Sequence, residues 1–583
     1  MFMLRHQLGK RISQRVRRIR LVSYFEKRLK RNLIDPLFRA IIHPSNLNKS
    51  SFGLRLFFHI RNPPLLSVLI PVYKPDLLLL EKSIASVQKQ FYPNWELCIV
   101  DDGSNDEQVT STIRKLSEDK RIKFFRSEEN KGISAAVNKA AAMAKGEYLG
   151  VLDQDDELHT GALLEYARVI QHDPEVDIIY CDENKIDETG EFCWPWLKPD
   201  WNPDLALSFN YVMHFVLYRS SLFHALGGMR PRFDGSQDYD LLLRAVERTK
   251  RIRHIPKIRY HWRMSKNSIA TGPEAKPYVF VNGLAALNDA LRRRGIQGTA
   301  EHAPDAWDGV YRVRRNLQHP CLTSILVILS AKGPRPSPLL RSLESFVSKE
   351  EREIICMDLS SSTAEGADMT TIPYTCVNRV ENAENRMPAC FNAMAGKARG
   401  DFLFFLDDTM EIASSETLHA LLEHGQRPEV GAVGGKIRYR NGLVEHTGII
   451  MGPFGLLGYA NRATPDDAGY VGNKRMIANC SAVMGLGMLT PRLLFLDQGG
   501  FDERYRRYCW DADYCLRLRE KKFLITFTPY AILKHHVDVQ HLPYAIPPQD
   551  RDLFRKRWQY VIDNDPYFNK NLSRSREDFW PID

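Results

Sequence analysis

The chain of 583 residues has only ten cysteines, at 98, 181, 193, 321, 356, 376, 390, 480, 509 and 515, with no CxxC and no dense disulfide framework. A chain of this length needs no covalent staples, so the cysteines are expected to be reduced, mostly buried and in a cytosolic setting. Long apolar runs are also lacking. Nothing approaches the ~20 residues of a membrane-spanning helix, and no apolar h-region follows the basic start, which argues against a transmembrane segment and a secretory signal. The turn after the first predicted strand, "IPVYKPDL" (70–77), has neither the Gly-rich phosphate loop of a sugar nucleotidyltransferase nor the G-x-G-x-x-G of a dinucleotide oxidoreductase.

Charge is present but badly distributed. Residues 1–31 hold eleven Lys or Arg against the single acid Glu26, which equals the whole net charge of +10. Leu4, Leu8, Ile12, Ile19 and Leu29 recur at helical spacings among these arginines, as in a basic amphipathic helix on an anionic membrane surface. A helix docked on the protein's own body, a solvated tail and a nucleic-acid arm are the alternatives. The neutral remainder offers nucleic acid no groove, so no nucleic-acid partner is expected.

From residue 66 the pattern alternates. Apolar or β-branched runs at 66–73, 95–102, 122–127 and 147–153 are separated by segments with helical spacing, which predicts an α/β fold with mostly parallel sheets covered on both faces. Ligands bind at the carboxyl ends of such strands. Here those ends read Pro71-Val-Tyr73, Asp101-Asp102-Gly103-Ser104 and Asp153-Gln-Asp155-Asp156. The pattern also repeats: "AKGEYLGVLDQDDEL" (144–158) aligns without gaps with "ARGDFLFFLDDTMEI" (398–412), "GGMRPRFDGSQDYDLLLR" (227–244) with "GGFDERYRRYCWDADYCLR" (499–517), and "YHWR" (260–263) with "KHHV" (534–537). The expected division is a basic helix and joint at 1–60, α/β domains at 61–305 and 306–540, and a tail at 541–583 packed along the body.

At an extended strand end, Asp153 and Asp155 would face one side and could hold a divalent cation such as Mg²⁺ or Mn²⁺, with Asp156 and Glu157 starting the next helix. A cluster of helix N-caps is the competing reading of the same acids.

In order and spacing, "IPVY", "IVDDGSND", "NKGISAAVNKA", "LDQDDEL", "YCDENKID", "LKPDWNPDLAL", "GSQDYDLLLR" and "YHWR" resemble the inverting family 2 glycosyltransferases. The branch resembled builds bacterial surface polysaccharides such as O-antigen and is rhamnosyltransferase-like. The second half resembles it too, in "PEVGAVGGKIRY", "VEHTGIIMG", "GGFDERY", "WDADYCLR" and "TPYAILKHH".

The resemblance implies two tandem A-type, Rossmann-like nucleotide-sugar-binding domains and an EC 2.4 hexosyl-type activity. The donor is a nucleoside-diphosphate sugar and the acceptor a lipid-linked or polysaccharide chain at the inner face of the cytoplasmic membrane. Carried over by position, Pro71, Tyr73, Asp102, Asp153, Lys131 and Gly132 would meet the donor. Asp155 and His261 would hold the metal, and Asp238 would be the base. Trp194, Trp196, Trp201 and Lys198 are acceptor candidates; an aromatic face suits a sugar ring, although such rings are also core formers.

In the second copy Asp102 falls opposite Leu359 and Asp155 opposite Thr409. Asp407, Asp408, Asp511 as base and His535 as late ligand remain. That copy is either degraded and serves acceptor binding or architecture, or uses Asp408 in a shifted register for a second transfer; for the protein as a whole a non-catalytic saccharide-binding scaffold is the alternative, against which the intact first-copy set of Asp102, Asp153, Asp155, Asp238 and His261 argues.

Overall fold

A computed structural model describes residues 60–264, 277–330, 338–346, 352–359, 374–538 and 546–582. The basic segment 1–31 lies outside them. In the first domain the strands are β1 (Leu66–Val72), β2 (Trp95–Asp101), β3 (Ile122–Arg126), β4 (Tyr148–Val151), β5 (Glu157–Leu158), β6 (Ile178–Ile186), β7 (Phe192–Trp196), β8 (Leu217–Arg219) and β9 (Ile252–Arg263). They form one sheet in the order β3-β2-β1-β4-β8-β6-β9-β5, with β7 on β6. β1, β2, β3, β4, β6 and β9 run one way, and the antiparallel β8 joins the two parallel blocks.

Period-two alternation shows how the sheet is covered on both sides. Val68, Ile70 and Val72 of β1 and Leu97 and Ile99 of β2 enter one apolar cluster, while Leu69, Cys98 and Val100 enter the other. The helix Leu77–Gln88 starts where the Asp76 carboxylate accepts the N–H groups of Leu78 (2.9 Å) and Leu79 (3.2 Å).

A hairpin of β10 (Gly298–His302) and β11 (Tyr311–Arg315) straddles the expected boundary at 305/306. Beyond it come β12 (Thr323–Leu329), β13 (Arg352–Asp358), β14 (Thr375–Cys376), β15 (Phe402–Asp407), β16 (Met410–Ile412), β17 (Val430–Tyr439), β18 (Val444–His446), β19 (Ile449–Met451), β20 (Leu457–Tyr459), β21 (Ala478–Asn479), β22 (Met488–Pro491) and β23 (Leu524–His535). The order β14-β13-β12-β15-β22-β17-β23-β16 repeats that of the first sheet strand for strand.

The copies also share buried polar networks. Ser67 Oγ donates to Glu96 (2.7 Å) and accepts Gly146 N–H (2.9 Å); Ser324 does the same with Glu353 (2.5 Å) and Gly400 (2.9 Å). Arg244, paired with Asp240 four residues earlier, donates to the carbonyls of Leu226 and Gly228. Arg517, paired with Asp513, donates to those of Gln498 and Gly500. Buried charges survive only when paired and bonded in this way.

The domains are joined by polar contacts. Asn202 and Asn479 exchange hydrogen bonds of 2.8 and 2.9 Å, and Asp204 accepts from Asn479 Nδ2, Thr526 Oγ1 and Arg427. The tail helix, Pro548–Asp563, packs on the second domain through Phe554, Trp558 and Ile562. Asn569 then reaches into the first domain to donate to the Asp182 carboxylate and the Lys198 carbonyl. All ten cysteines are free thiols. Among the described residues no helix is long and apolar enough to cross a membrane.

Candidate active site

Asp102 follows β2 and is 3% exposed. Its carboxylate accepts the backbone N–H groups of Lys131 (3.0 Å) and Gly132 (2.8 Å), at the start of the helix Ile133–Met143. Those two amides are thereby committed to Asp102 rather than presented to a ligand. Gly132 is at φ +90°, and a Cβ there would stand 2.2 Å from the Asp234 carboxylate, so only glycine fits. Pro71 is buried within β1. Tyr73, just beyond it, is 42% exposed and exchanges backbone hydrogen bonds with the Gln154 side-chain amide (2.9 and 3.2 Å).

The acidic stretch departs from the expected geometry in two ways. β4 stops at Val151, and residues 153–156 form a turn closed by Asp156 N–H to the Asp153 carbonyl (3.2 Å), rather than continuing as a strand end. Glu157 and Leu158 then pair with β9 as β5, so the following helix begins only at Ala162 and none of these acids caps it. Asp153 and Asp155 remain half-exposed at the mouth while Asp156 is buried, accepting the Tyr260 hydroxyl and Arg263 N–H (2.7 Å). Burial, with Asp153 and Asp155 alongside, pushes the Asp156 carboxyl well above the usual range. Arg263 also clamps the turn through the Asp155 carbonyl (2.9 Å) and the Glu157 carboxylate.

His261 follows on β9. Its Nδ1 bonds the Asn184 amide oxygen (2.6 Å), and its ring stacks on Phe192 at 4.3 Å. Burial, then His159, Arg259 and Arg263, push it down to about 3, so the imidazole is neutral and Nε2 carries the lone pair a metal ligand needs. Two carboxylates and a neutral imidazole suit Mg²⁺ or Mn²⁺ in donor type. Among the described residues, however, no group of three or more His, Cys, Asp or Glu is arranged to hold a metal ion. Asp238 lies in the first turn of the helix Gln237–Arg248, half-buried, and its Oδ2 accepts from Asn210 Nδ2 (2.8 Å).

The acceptor candidates diverge. Trp194 is 69% exposed, Trp196 lines a cavity between the domains, and Trp201 lines a separate cavity of about 430 Å³ that none of Asp102, Asp153, Asp155, Asp238 or His261 touches. Lys198 is wholly buried. Its ammonium bonds Glu183 (2.9 Å) and the carbonyls of Val212, Met213 and His214, so it braces the loop beside Asn210 and does not reach an acceptor. Sequence reasoning passed over Asn210, Glu183 and His214. Acids in the middle of an otherwise buried strand, "YCDENKI", were the available signal for Glu183.

In the second domain, strand register fixes the equivalences. Val72 pairs with Asp101 and Leu329 with Asp358, so Leu359 occupies the place of Asp102. Leu69 pairs with Val151 and Leu326 with Phe405, which puts Asp407 at Asp153 and Thr409 at Asp155. The late histidine requires a correction. Leu158 pairs with Tyr260 and Glu157 with His261, whereas Ile412 pairs with Leu533 and Glu411 with Lys534, so Lys534 and not His535 stands where His261 does. The one-residue offset turns His535 to the other face, where its Nδ1 bonds Glu445 (2.7 Å): burial lowers its pKa, but the bond to Glu445, with Glu445 and Asp407 alongside, raises it above its usual value. Ile437 likewise occupies the place of Glu183. Asp408 is buried, accepts Ser330 N–H (3.0 Å), and is pushed up to about 6 by burial and then Asp407. Asp511 has both oxygens on backbone N–H groups, of Gly485 and Ala512 (2.8 Å each).

Residues 67–227 and 327–470 each match Glycosyl transferase family 2, together just over half the chain. The chain belongs to that family. It is 33% identical over 542 residues to the uncharacterized protein y4gI of Sinorhizobium fredii, and 30% identical over 522 residues to the O-antigen biosynthesis protein RfbC of Myxococcus xanthus. Those alignments take in 89% and 88% of this chain but only 59% and 41% of the relatives, so the chain spans about half their length. The hyaluronan synthase of Pasteurella multocida is 26% identical over 244 residues, 41% of this chain and 24% of that protein. A crystal structure of S. aureus TarS 1-349 in complex with UDP-GlcNAc covers 39% of this chain and 72% of that one, at 19% identity and a TM-score of 0.31.

Proposed function

We propose that this family 2 chain is an inverting glycosyltransferase of cell-surface polysaccharide synthesis, with its chemistry confined to the first domain and the second domain architectural. The observation that carries this reading is the contrast between copies that share one scaffold. Asp102, Asp155 and His261 of the first become Leu359, Thr409 and Lys534 in the second. A nucleoside-diphosphate sugar as donor and a polysaccharide or lipid-linked acceptor accord with the O-antigen and hyaluronan names of the relatives.

In the first domain Asp102 anchors the loop that borders the nucleotide, and Asp153 faces the ribose. Asp155 and His261 would hold Mg²⁺ or Mn²⁺, which when bound would neutralise the departing diphosphate. Asp238 takes the acceptor hydroxyl's proton as the sugar transfers; Asn210 fixes its Oδ2, leaving Oδ1 for the proton. One base suffices, because inversion needs no covalent intermediate. The basic segment 1–31 would tether the enzyme to the inner leaflet, where lipid-linked acceptors lie.

The test is nucleoside diphosphate release from a panel of donors, with and without Mn²⁺ or Mg²⁺, in three variants. Asp238→Asn should lose transfer by a factor of at least ~10³ while still binding donor, since it removes general-base catalysis together with the charge that drives it. Asp155→Ala should lose metal-dependent turnover, and Asp511→Asn should transfer like wild type. Full transfer by Asp238→Asn, or a distinct linkage missing from the Asp511→Asn product, overturns the assignment.

A further inference from the structure

The helix Ile133–Met143 is tied at two places to the segment that precedes Asp238. Asn138 makes the first tie: its Nδ2 donates to the Met229 carbonyl (2.8 Å) and its Oδ1 accepts Met229 N–H (2.8 Å). Asp234 makes the second. Its Oδ1 accepts Ser134 N–H (3.3 Å), and its Oδ2 lies so close over Gly132 that a Cβ there would approach it to 2.2 Å. Gly132 and Lys131 are the residues whose amides Asp102 holds, so Asp102, this loop and Asp234 form one run of contacts that leads to the turn carrying Asp238. The far side of that turn is fixed to the helix Pro277–Arg293: Asn282 Nδ2 donates to the Asp234 carbonyl (2.8 Å) and Ser236 Oγ to the Val279 carbonyl (2.8 Å).

The second copy separates the two ties. Aligned at the first residues of the helices Ile133–Met143 and Met387–Ala395, Asn138 meets Asn392, Gly132 meets Arg386 and Ser134 meets Pro388. Aligned at the first residues of Gln237–Arg248 and Trp510–Glu520, which also brings Asp240 and Arg244 opposite Asp513 and Arg517, Asp234 meets Arg507. Asn392 repeats the first tie, donating to the Phe501 carbonyl (2.9 Å) and accepting Phe501 N–H (2.9 Å). Nothing of the second tie is left: Arg507 has no carboxylate, Pro388 has no N–H to donate, and Arg386 has a side chain where Gly132 has none. The Asn138 tie therefore belongs to the frame common to both copies. The Asp234 tie, like Asp102 and Asp155, is confined to the first.

We propose that Asp234 is a positioning residue for the transfer: it holds the turn that carries Asp238 against the donor loop, and so sets where the base stands relative to the sugar being moved. It acts through Gly132 and Ser134 on one side and through the backbone from Gly235 to Asp238 on the other. A reacting group displaced by about 1 Å can cost ~10²-fold in rate, whereas the fold loses only one half-buried hydrogen bond. This rests on reading the chain as a glycosyltransferase with Asp238 as base.

Turnover of UDP-, GDP- and dTDP-sugars, binding of UDP, GDP and dTDP, Tm and amide hydrogen exchange would be measured on the full chain. Asp234→Ala should lower kcat at least ~10-fold while nucleoside diphosphate Kd stays within about threefold and Tm within about 2 °C of wild type. Asp234→Asn, whose side-chain oxygen can still accept Ser134 N–H, should recover most of kcat. Asn138→Ala, which breaks the shared tie, should lower Tm further than Asp234→Ala does. Exchange in peptides spanning Gly235 to Asp240 should quicken at least ~10-fold in Asp234→Ala and not in Asp238→Asn. The proposal is overturned if Asp234→Ala turns over donor like wild type, if its lost kcat comes with an equal loss of nucleoside diphosphate binding or a Tm as low as that of Asn138→Ala, if Asp234→Asn is no better than Asp234→Ala, or if exchange from Gly235 to Asp240 is unchanged. Failure of the glycosyltransferase reading looks different: wild type then turns over no donor, while hydrogen exchange still decides whether Asp234 holds the turn.

Discussion

Substituting Asp204 tests how the two domains are held together. Asp204 is 2% exposed, and its carboxylate accepts from Arg427 (2.8 Å), Asn479 Nδ2 (2.8 Å) and Thr526 Oγ1 (2.9 Å), all from the opposite domain. Burial opposes its ionisation, but Arg427, then His424 and Arg315, hold the carboxyl far below its usual range. Asp204→Ala would leave Arg427 buried beside Arg315 with the half-exposed Glu429 (2.9 Å) as its one remaining carboxylate partner and the His424 ring nitrogen at 3.3 Å. Removing one member of a buried pair costs about 3–5 kcal/mol, because the remaining charge is uncompensated. Because the folded-state carboxyl is depressed, its contribution is present above the unfolded value near ~3.9 and is lost as the pH falls through the lower folded one. Urea denaturation of the full chain at pH 7 should show that loss, and Asp204→Ala/Arg427→Ala should recover part of it, with a coupling of at least ~1.5 kcal/mol. A loss below ~1 kcal/mol, or additive single effects, would refute the latch.

Two further outcomes are expected. The His214 imidazole is raised to about 9: burial opposes this, but Glu183, with Asp153 and Asp156, outweighs it. A raised folded-state value means stability fully present below pH ~6.5 and lost as the pH rises through about 9, on the order of 3 kcal/mol in all, so Tm should fall over that window in wild type and much less in His214→Gln. Equal slopes would show that another group titrates. Deleting residues 1–31 should abolish flotation with vesicles rich in anionic lipid while leaving donor turnover in solution intact; unchanged flotation would assign membrane contact elsewhere.

The alternating strands and the tandem repeat were legible because strands buried on both faces read as unbroken apolar runs, and because two copies of one pattern reinforce each other. Asp102 opposite Leu359 was legible for the same reason: each directly follows a strand of the same length, β2 and β13. What escaped depends on contacts distant in sequence. The acidic stretch bends into a turn beside the Gln154 amide, which grips Tyr73 81 residues away, and Glu157 enters a strand only because β9 lies alongside. Lys198 would be assigned to solvent on composition alone; Glu183 and three carbonyls bury it. The His535 error was one residue long. "KHH" offers two imidazoles, and only the pairing of Ile412 with Leu533 shows that neither takes the His261 position.

That slip bears on what keeps the second copy in the chain. If both domains were selected for one reaction, the shared features should include the site and not only the frame. Instead the Ser67–Glu96 and Asp240–Arg244 bonds recur as Ser324–Glu353 and Asp513–Arg517, while Asp102, Asp155, Glu183 and His261 give way to Leu359, Thr409, Ile437 and Lys534. The first set is what the fold requires, since breaking a buried pair costs several kcal/mol whatever the domain does. In the second set the buried acids Asp102 and Glu183 give way to Leu359 and Ile437, and apolar replacements of buried charges are neutral or stabilising, while Asp155 is half-exposed and its loss to Thr409 leaves no buried charge uncompensated. What the second domain retains beyond its own frame is contact with the first: Tyr470 on the 195–197 backbone, Asn479 on Asn202 and Asp204, and Arg427 on Asp204. These contacts hold the segment from Trp196 to Asp204, and Lys198 within it braces the loop next to Asn210 and the Asp238 carboxylate. A domain that lacks the counterparts of Asp102 and Asp155 can therefore still matter, by holding in place the loop that borders Asp238, the base proposed for the other domain.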